Sequence, residues 1–179
     1  MKYIKTILGV LFASVLLTTV ATAATNEIAT KDVDKDHWTF SFAGGGASDL
    51  GGGTLNSSTI QGDLSIGRTG RLVLPLEVGV RQGFGYSDVN GATWRFSTKL
   101  YSDWTLVRLG NLQLDAGGNV GALYGTRAEP SWVAAPEVVT RLYLKKDVDL
   151  FGRVEYPFNL REGRAQESLV YTLGVRLRF

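Results

Sequence analysis

The chain has 179 residues, 44% of them hydrophobic and 20% charged, with no cysteine and a single histidine. This length suits one ordinary domain, and the lack of thiols excludes a disulfide framework and thiolate metal sites. Lys2 and Lys5 precede an apolar stretch from Ile7 to about Val20 that closes on Ala21-Thr22-Ala23, the pattern of a cleaved signal peptide over residues 1–23. Once it is removed, seventeen basic residues face seventeen acidic ones, so no basic excess points to nucleic acid.

Residues 24–36 are polar and aperiodic and read as a flexible periplasmic leader. From His37 the hydrophobic period becomes two and stays two. Eight alternating runs follow, at about 37–44, 57–67, 72–86, 92–107, 111–124, 132–145, 147–158 and 168–179. Turn signals separate them: Arg68-Thr69-Gly70-Arg71, Asn90-Gly91, Leu109-Gly110-Asn111 and Lys145-Lys146-Asp147. Connection lengths alternate, with the first, third, fifth and seventh the longer. The glycine-rich segment from Gly44 to Gly53 lacks the spacing and following helix of a phosphate-cradling loop, and reads as a flexible surface loop. No later stretch approaches the ~20 apolar residues of a membrane helix, so a membrane crossing would be made by strands. These features predict an all-β, eight-stranded antiparallel up-and-down transmembrane β-barrel over residues 37–179, with both termini periplasmic.

Alternation alone does not say which face points outward, because a soluble lipophile-binding barrel buries its apolar face inside. The aromatic residues decide. Phe84, Tyr86, Trp94, Tyr124, Trp132, Tyr156 and Phe158 share the aliphatic parity near the ends that meet the longer loops. Trp38, Trp104 and Phe179 share it near the opposite ends. Two aromatic girdles around an aliphatic band match the two headgroup levels of a bilayer. The other parity carries Asp63, Glu77, Arg81, Arg95, Lys99, Asp103, Asp115, Glu137, Arg141, Asp149, Arg153, Glu155, Arg176 and Arg178, seven acids and seven bases. In a narrow barrel filled by its own side chains, these should form an interior ion-pair network. Gly79, Gly83, Gly117, Gly121 and Gly174 share that face and are expected to make room for the long arginines.

The last run, with Tyr171, Leu173, Val175, Leu177 and Phe179 on one face, resembles the terminal strand of small Gram-negative outer-membrane barrels. Residues from Trp38 to Phe179 are similar to the group that holds the OmpA transmembrane domain, the OmpX/Ail proteins and the opacity proteins. The resemblance implies that these five positions are a signal read by the barrel assembly machinery, with periplasmic chaperones acting before it. It implies outer-membrane lipid and lipopolysaccharide as surroundings and a monomeric state. The outer loops are shorter than those of adhesive relatives. No domain is expected after the barrel, so peptidoglycan anchoring is not implied.

Some barrels of this size are enzymes that remodel lipid A, and such chemistry needs a nucleophile and base within reach of each other. His37 begins the first run, far from the longer loops, so no catalytic residue is assigned. No metal site and no cofactor is expected, since acidic residues show no ligand spacing. Arg127, Arg161 and Arg164 fall on longer loops and are candidates for lipopolysaccharide phosphate contacts. The expected role is that of a structural or surface-interaction protein. The alternatives are a narrow passive pore and, below that, a lipid A-modifying enzyme or a soluble lipophile carrier.

Overall fold

A computed structural model describes residues 36–49, 59–72, 74–87, 93–126, 130–160, 164–165 and 168–179. The expected signal peptide and nearly all of the expected leader lie outside the described residues. The period-two stretches form strands β1 (Trp38–Asp49), β2 (Thr59–Arg71), β3 (Pro75–Ser87), β4 (Thr93–Leu109) and β5 (Leu112–Gly125). They continue with β6 (Ser131–Lys145), β7 (Val148–Glu155), the two-residue pieces β8 (Phe158–Asn159) and β9 (Arg164–Ala165), and β10 (Ser168–Arg178).

Each long strand pairs antiparallel with its chain neighbours, β7 with β10, and β10 closes the ring on β1. That closing ladder runs from Thr39 opposite Arg178 to Asp49 opposite Ser168. Trp38 and Phe179 exchange backbone hydrogen bonds of 3.0 Å in both directions, which seals the seam at its end. The result is a closed, eight-stranded, up-and-down barrel. β8 continues the line of β7 past Tyr156 and Pro157, pairing with β6 at Val133 and Ala134. The short connections, the start of β1 and the end of β10 share one rim, here called the turn rim. The opposite strand ends, which lead to the longer connections, share the other, the loop rim.

Several boundaries differ from the sequence reading. Gly44–Asp49 are strand, not loop: β10 supplies a template for this stretch, whose own propensity is poor, and the rest of the glycine-rich segment lies outside the described residues. Arg68–Arg71 also remain in β2, so Leu72 and Leu74 are exposed turn-rim residues and not the start of β3. Arg164–Ala165, read as loop, pair with β8. In β4 a bulge between Thr105 and Val107 shifts the register against β5. After it the faces exchange, so Val107 and Leu109 point out and Arg108 turns toward the lumen. Gly110 takes φ +57°, the left-handed conformation that lets a two-residue turn reverse the chain there.

The faces are sorted as an inside-out protein. Leu173 is 73% exposed and Leu100 62%, both well within strands, whereas Asp115 and Asp149 are fully buried. Aliphatic and aromatic side chains form the outer wall, and charged side chains the core. Such a wall is stable only where the surroundings are apolar.

Candidate functional site

The lumen is crossed by a network of ion pairs in two tiers. Each tier is built on an unfavourable pairing. On β6 and β7, Glu137 sits directly opposite Glu155. On β3 and β4, Glu77 sits directly opposite Asp103. Like charges facing across a ladder destabilise it. Each acid pair is held by an arginine reaching from the opposite wall. Arg81 of β3 donates to Glu137 at 2.8 and 3.3 Å and to Glu155 at 3.1 Å. Arg141 of β6 lies 3.0 Å from Glu77 and donates to Asp103 at 3.1 Å, and also to Asp115. The two arginines thus staple opposite walls in reciprocal directions.

Around these staples the loop-side tier adds Lys99, whose Nζ is 2.6 Å from Glu155, and Arg153, which bonds Asp63 and lies 2.9 Å from Glu155. Asn119 donates to Glu137 at 3.1 Å and to Glu155 at 3.2 Å. In the turn-side tier Arg176 grips Asp149 through Nε and Nη2, at 3.1 and 2.9 Å, and also bonds Glu77. Arg178 approaches Asp149 at 3.5 Å and lies 4.5 Å over the Tyr143 ring. Tyr101 joins the tiers. Its hydroxyl donates to Glu77 at 2.9 Å while its ring carries the Arg81 guanidinium at 4.6 Å.

Thirteen of the fourteen residues assigned to this network from sequence are ion-paired in the lumen. Arg95 is the exception. It has the inward parity but is exposed at the loop rim, with no ion partner among the described residues. Arg108, given to no network by strict alternation, takes part at the turn rim, donating to Gln113 at 2.7 Å. Gln113 in turn donates to Asp115 at 2.7 Å, and Tyr143 donates to Gln113 at 2.6 Å. With Arg108 in place of Arg95, the seven acids still face seven bases.

The inward glycines serve a different purpose from the one expected. A Cβ on Gly79 would collide with the backbone of Ile66 and Gly67 and with the Tyr101 ring. On Gly67 it would meet the Tyr101 hydroxyl, and on Gly174 the Phe151 ring, at 2.7 Å. These glycines make room for inward aromatics and close strand approach; the arginines lie along the space the rings leave.

Outside, the aromatic positions fall as sorted. Trp38, Phe84, Trp94, Tyr124, Trp132, Phe158 and Phe179 are exposed, and Tyr86, Trp104 and Tyr156 half-buried on the same face. Tyr86 packs on Trp94 with ring centroids 5.0 Å apart, and Tyr156 on Phe158 at 5.0 Å. Gln82, Thr98 and Tyr124, polar residues on the outer wall, bond one another: Thr98 to Gln82 at 2.7 Å and Gln82 to Tyr124 at 3.0 Å. Tyr171, Leu173, Val175 and Leu177 lie on the outer face of β10, paired with β1 and β7. Arg127 and Arg161 lie outside the described residues, and Arg164 is described only as part of β9. His37 sits at the turn rim, where its N–H donates to the Thr69 hydroxyl at 2.9 Å.

A closed eight-stranded cylinder with an ionic core and an apolar wall defines the class: this is the transmembrane β-barrel fold of small outer-membrane proteins. Solved structures similar to it include the following two. Neisserial surface protein A shares 14% identity and a TM-score of 0.59, over 80% of this chain and 97% of that one. A major outer-membrane protein from Thermus thermophilus shares 12% identity and a TM-score of 0.59, over 81% of this chain and all of the other. No protein-family model matches the sequence, and no curated protein matches it significantly.

Proposed function

We propose that this protein is an integral outer-membrane barrel that acts as a structural or surface-interaction element, without turnover and without a conducting lumen. The cross-lumen network carries the reading. Two arginines, each pinning an acid pair on the far wall, leave buried charge at every level from Asp149 to Glu155. Opening a path for ions would separate buried pairs, at several kcal/mol for each charge left alone. The wall belongs in lipid, and both barrel ends at the turn rim belong on the periplasmic side. The outer face of β10 is the segment offered to the assembly machinery. Arg127, Arg161 and Arg164, which fall on the longer connections of the sequence, are offered to lipopolysaccharide phosphates, and the barrel works as a monomer.

The test is electrical. Refolded protein in planar bilayers is expected to give no stable single-channel steps. Arg81→Ser, which strips Glu137 of its close counter-ion, is expected to introduce cation-preferring leak. Large, steady steps from the unaltered protein would replace this reading with that of a passive pore.

A further inference from the structure

The outer wall carries a cluster of polar side chains just inside the loop-rim girdle. Gln82 of β3 lies opposite Thr98 of β4, one outward row further from the rim than the aromatic row of Phe84, Phe96 and Tyr124. The next outward row is aliphatic: Val80, Leu100 and Val120. Gln82, Thr98 and Tyr124 are all exposed. A girdle tyrosine ordinarily keeps its hydroxyl on the wet side. The Tyr124 hydroxyl instead accepts from Gln82 Nε2 at 3.0 Å and lies 3.2 Å from the Thr98 hydroxyl, over the small side chain of Ala122. Thr98 donates to Gln82 Oε1 at 2.7 Å.

The cluster does not satisfy itself. Its donor hydrogens are two on the Gln82 amide and one on each hydroxyl, and the three mutual contacts use at most three of them. One Gln82 N–H is left over, with spare lone pairs on the three oxygens. Among acyl chains no water takes up such a donor, and an unmet polar group is costly there. Beside the cluster a groove opens along the wall. It is lined by Thr126 and Trp94 toward the rim, by the rings of Phe84 and Phe96, and by Gln82 at its inner end.

We infer that this groove is a docking site for one acyl chain of an outer-leaflet glycolipid, gripped where the chain carries an amide link or a hydroxyl beside its carbonyl. The carbonyl accepts the spare Gln82 N–H. The amide N–H or hydroxyl donates to a free lone pair of the cluster. The hydrocarbon beyond lies on the aliphatic row. An ester-linked chain accepts but has nothing to donate, so it meets half of the cluster. The depth agrees: acyl linkages lie just beneath the headgroups, and the cluster lies just beneath the girdle that marks their level. This inference rests on the outer-membrane reading, with the loop rim in the outer leaflet, and adds to it a lipid recognised by its acyl chemistry at the wall.

The test is lipid competition on the refolded chain in vesicles of brominated phosphatidylcholine, whose chains quench Trp94. The Trp94 signal is the difference between the chain and its Trp94→Phe variant. Unbrominated lipid A, whose chains include amide-linked and hydroxylated ones, should relieve the quenching at an about threefold or more lower fraction than phosphatidylglycerol, which is anionic and has ester links only. Gln82→Leu and Thr98→Val should each reduce that preference by about threefold to tenfold, as loss of one or two hydrogen bonds implies. Both put apolar groups on a lipid-facing wall, so heat-modifiable gel migration should persist. Neither changes a charge. A lipid A preference that survives both substitutions therefore belongs to headgroup contacts and overturns the proposal. Equal relief by the two lipids overturns it as well, and leaves the outer-membrane reading intact. Failure of the unaltered chain to insert into vesicles would remove that reading, and this site with it.

Discussion

Replacing Arg141 by Met tests whether the lumen network holds the barrel together. Met keeps much of the volume and removes only the charge and its donors. Arg141 lies 3.0 Å from Glu77 and 3.1 Å from Asp103, and bonds Asp115 as well. At an effective dielectric of about 20, each contact near 3 Å is worth about 5 kcal/mol before desolvation is counted. Desolvation cancels most of that, and removing one partner of a buried pair typically costs about 3–5 kcal/mol. Here Glu77 keeps Arg176, but Asp103 is left without its counter-ion and facing Glu77 across the β3–β4 ladder. With a urea slope of about 2 kcal/mol/M, the unfolding midpoint in lipid vesicles should fall by about 2 M. Tryptophan fluorescence and heat-modifiable migration both read that midpoint. Adding Asp103→Asn to Arg141→Met should recover part of the loss, since it removes the facing charge. Arg95→Met is the matched control: an exposed arginine without an ion partner among the described residues should change stability by no more than about 0.5 kcal/mol. Equal midpoints for the Arg141 and Arg95 variants would refute the claim that the network is structural.

The outer wall and the glycines give two more tests. Leu173→Arg places a charge on the outer face of β10, at a residue 73% exposed, and should cost about 2–4 kcal/mol in vesicles if that face meets the bilayer midplane; an unchanged urea midpoint would place the wall in water. Gly79→Ala should destabilise the barrel by about 1–3 kcal/mol, because its Cβ would strike backbone, whereas Gly85→Ala should be near neutral. The two alanine variants, compared by the same unfolding assay, separate a packing glycine from one that only bounds a cavity.

Face assignment is legible in the sequence because a closed barrel enforces one period along nearly every strand. It fails where a single residue breaks that period. Nothing in Trp104-Thr105-Leu106-Val107 marks the bulge: all four positions suit a strand, and the extra residue shows only as a shift against β5. Strict alternation therefore puts Arg108 on the wrong face. Arg95 is lost for a different reason. Its parity is right, but pairing also depends on height in the cylinder, which strand tilt and stagger set and which alternation does not encode. Gly44–Asp49 show the reverse case, where the strand comes from a partner more than a hundred residues away in the chain. The ion pairs themselves are equally non-local: Arg153 and Asp63 are separated by 90 residues, Arg176 and Glu77 by 99.

The balance of acids and bases has a structural consequence that stability alone does not explain. Buried ion pairs are weak sources of net stability compared with a well-packed apolar core. In this barrel an apolar core would also leave the register poorly specified. A slip of one residue exchanges the two faces and is forbidden by lipid. A slip of two keeps the faces and costs the outer wall little, since Leu, Val and Phe are nearly interchangeable there. Inside, the same slip is severe. It would draw Asp149 off the Arg176 it faces across the β7–β10 ladder, and would move Glu155 relative to the Arg81 that reaches it from β3. The ionic interior therefore discriminates among the registers that the lipid-facing wall tolerates. Its facing acid pairs sharpen that choice, because Glu137 opposite Glu155 is acceptable only at the one height where Arg81 spans both.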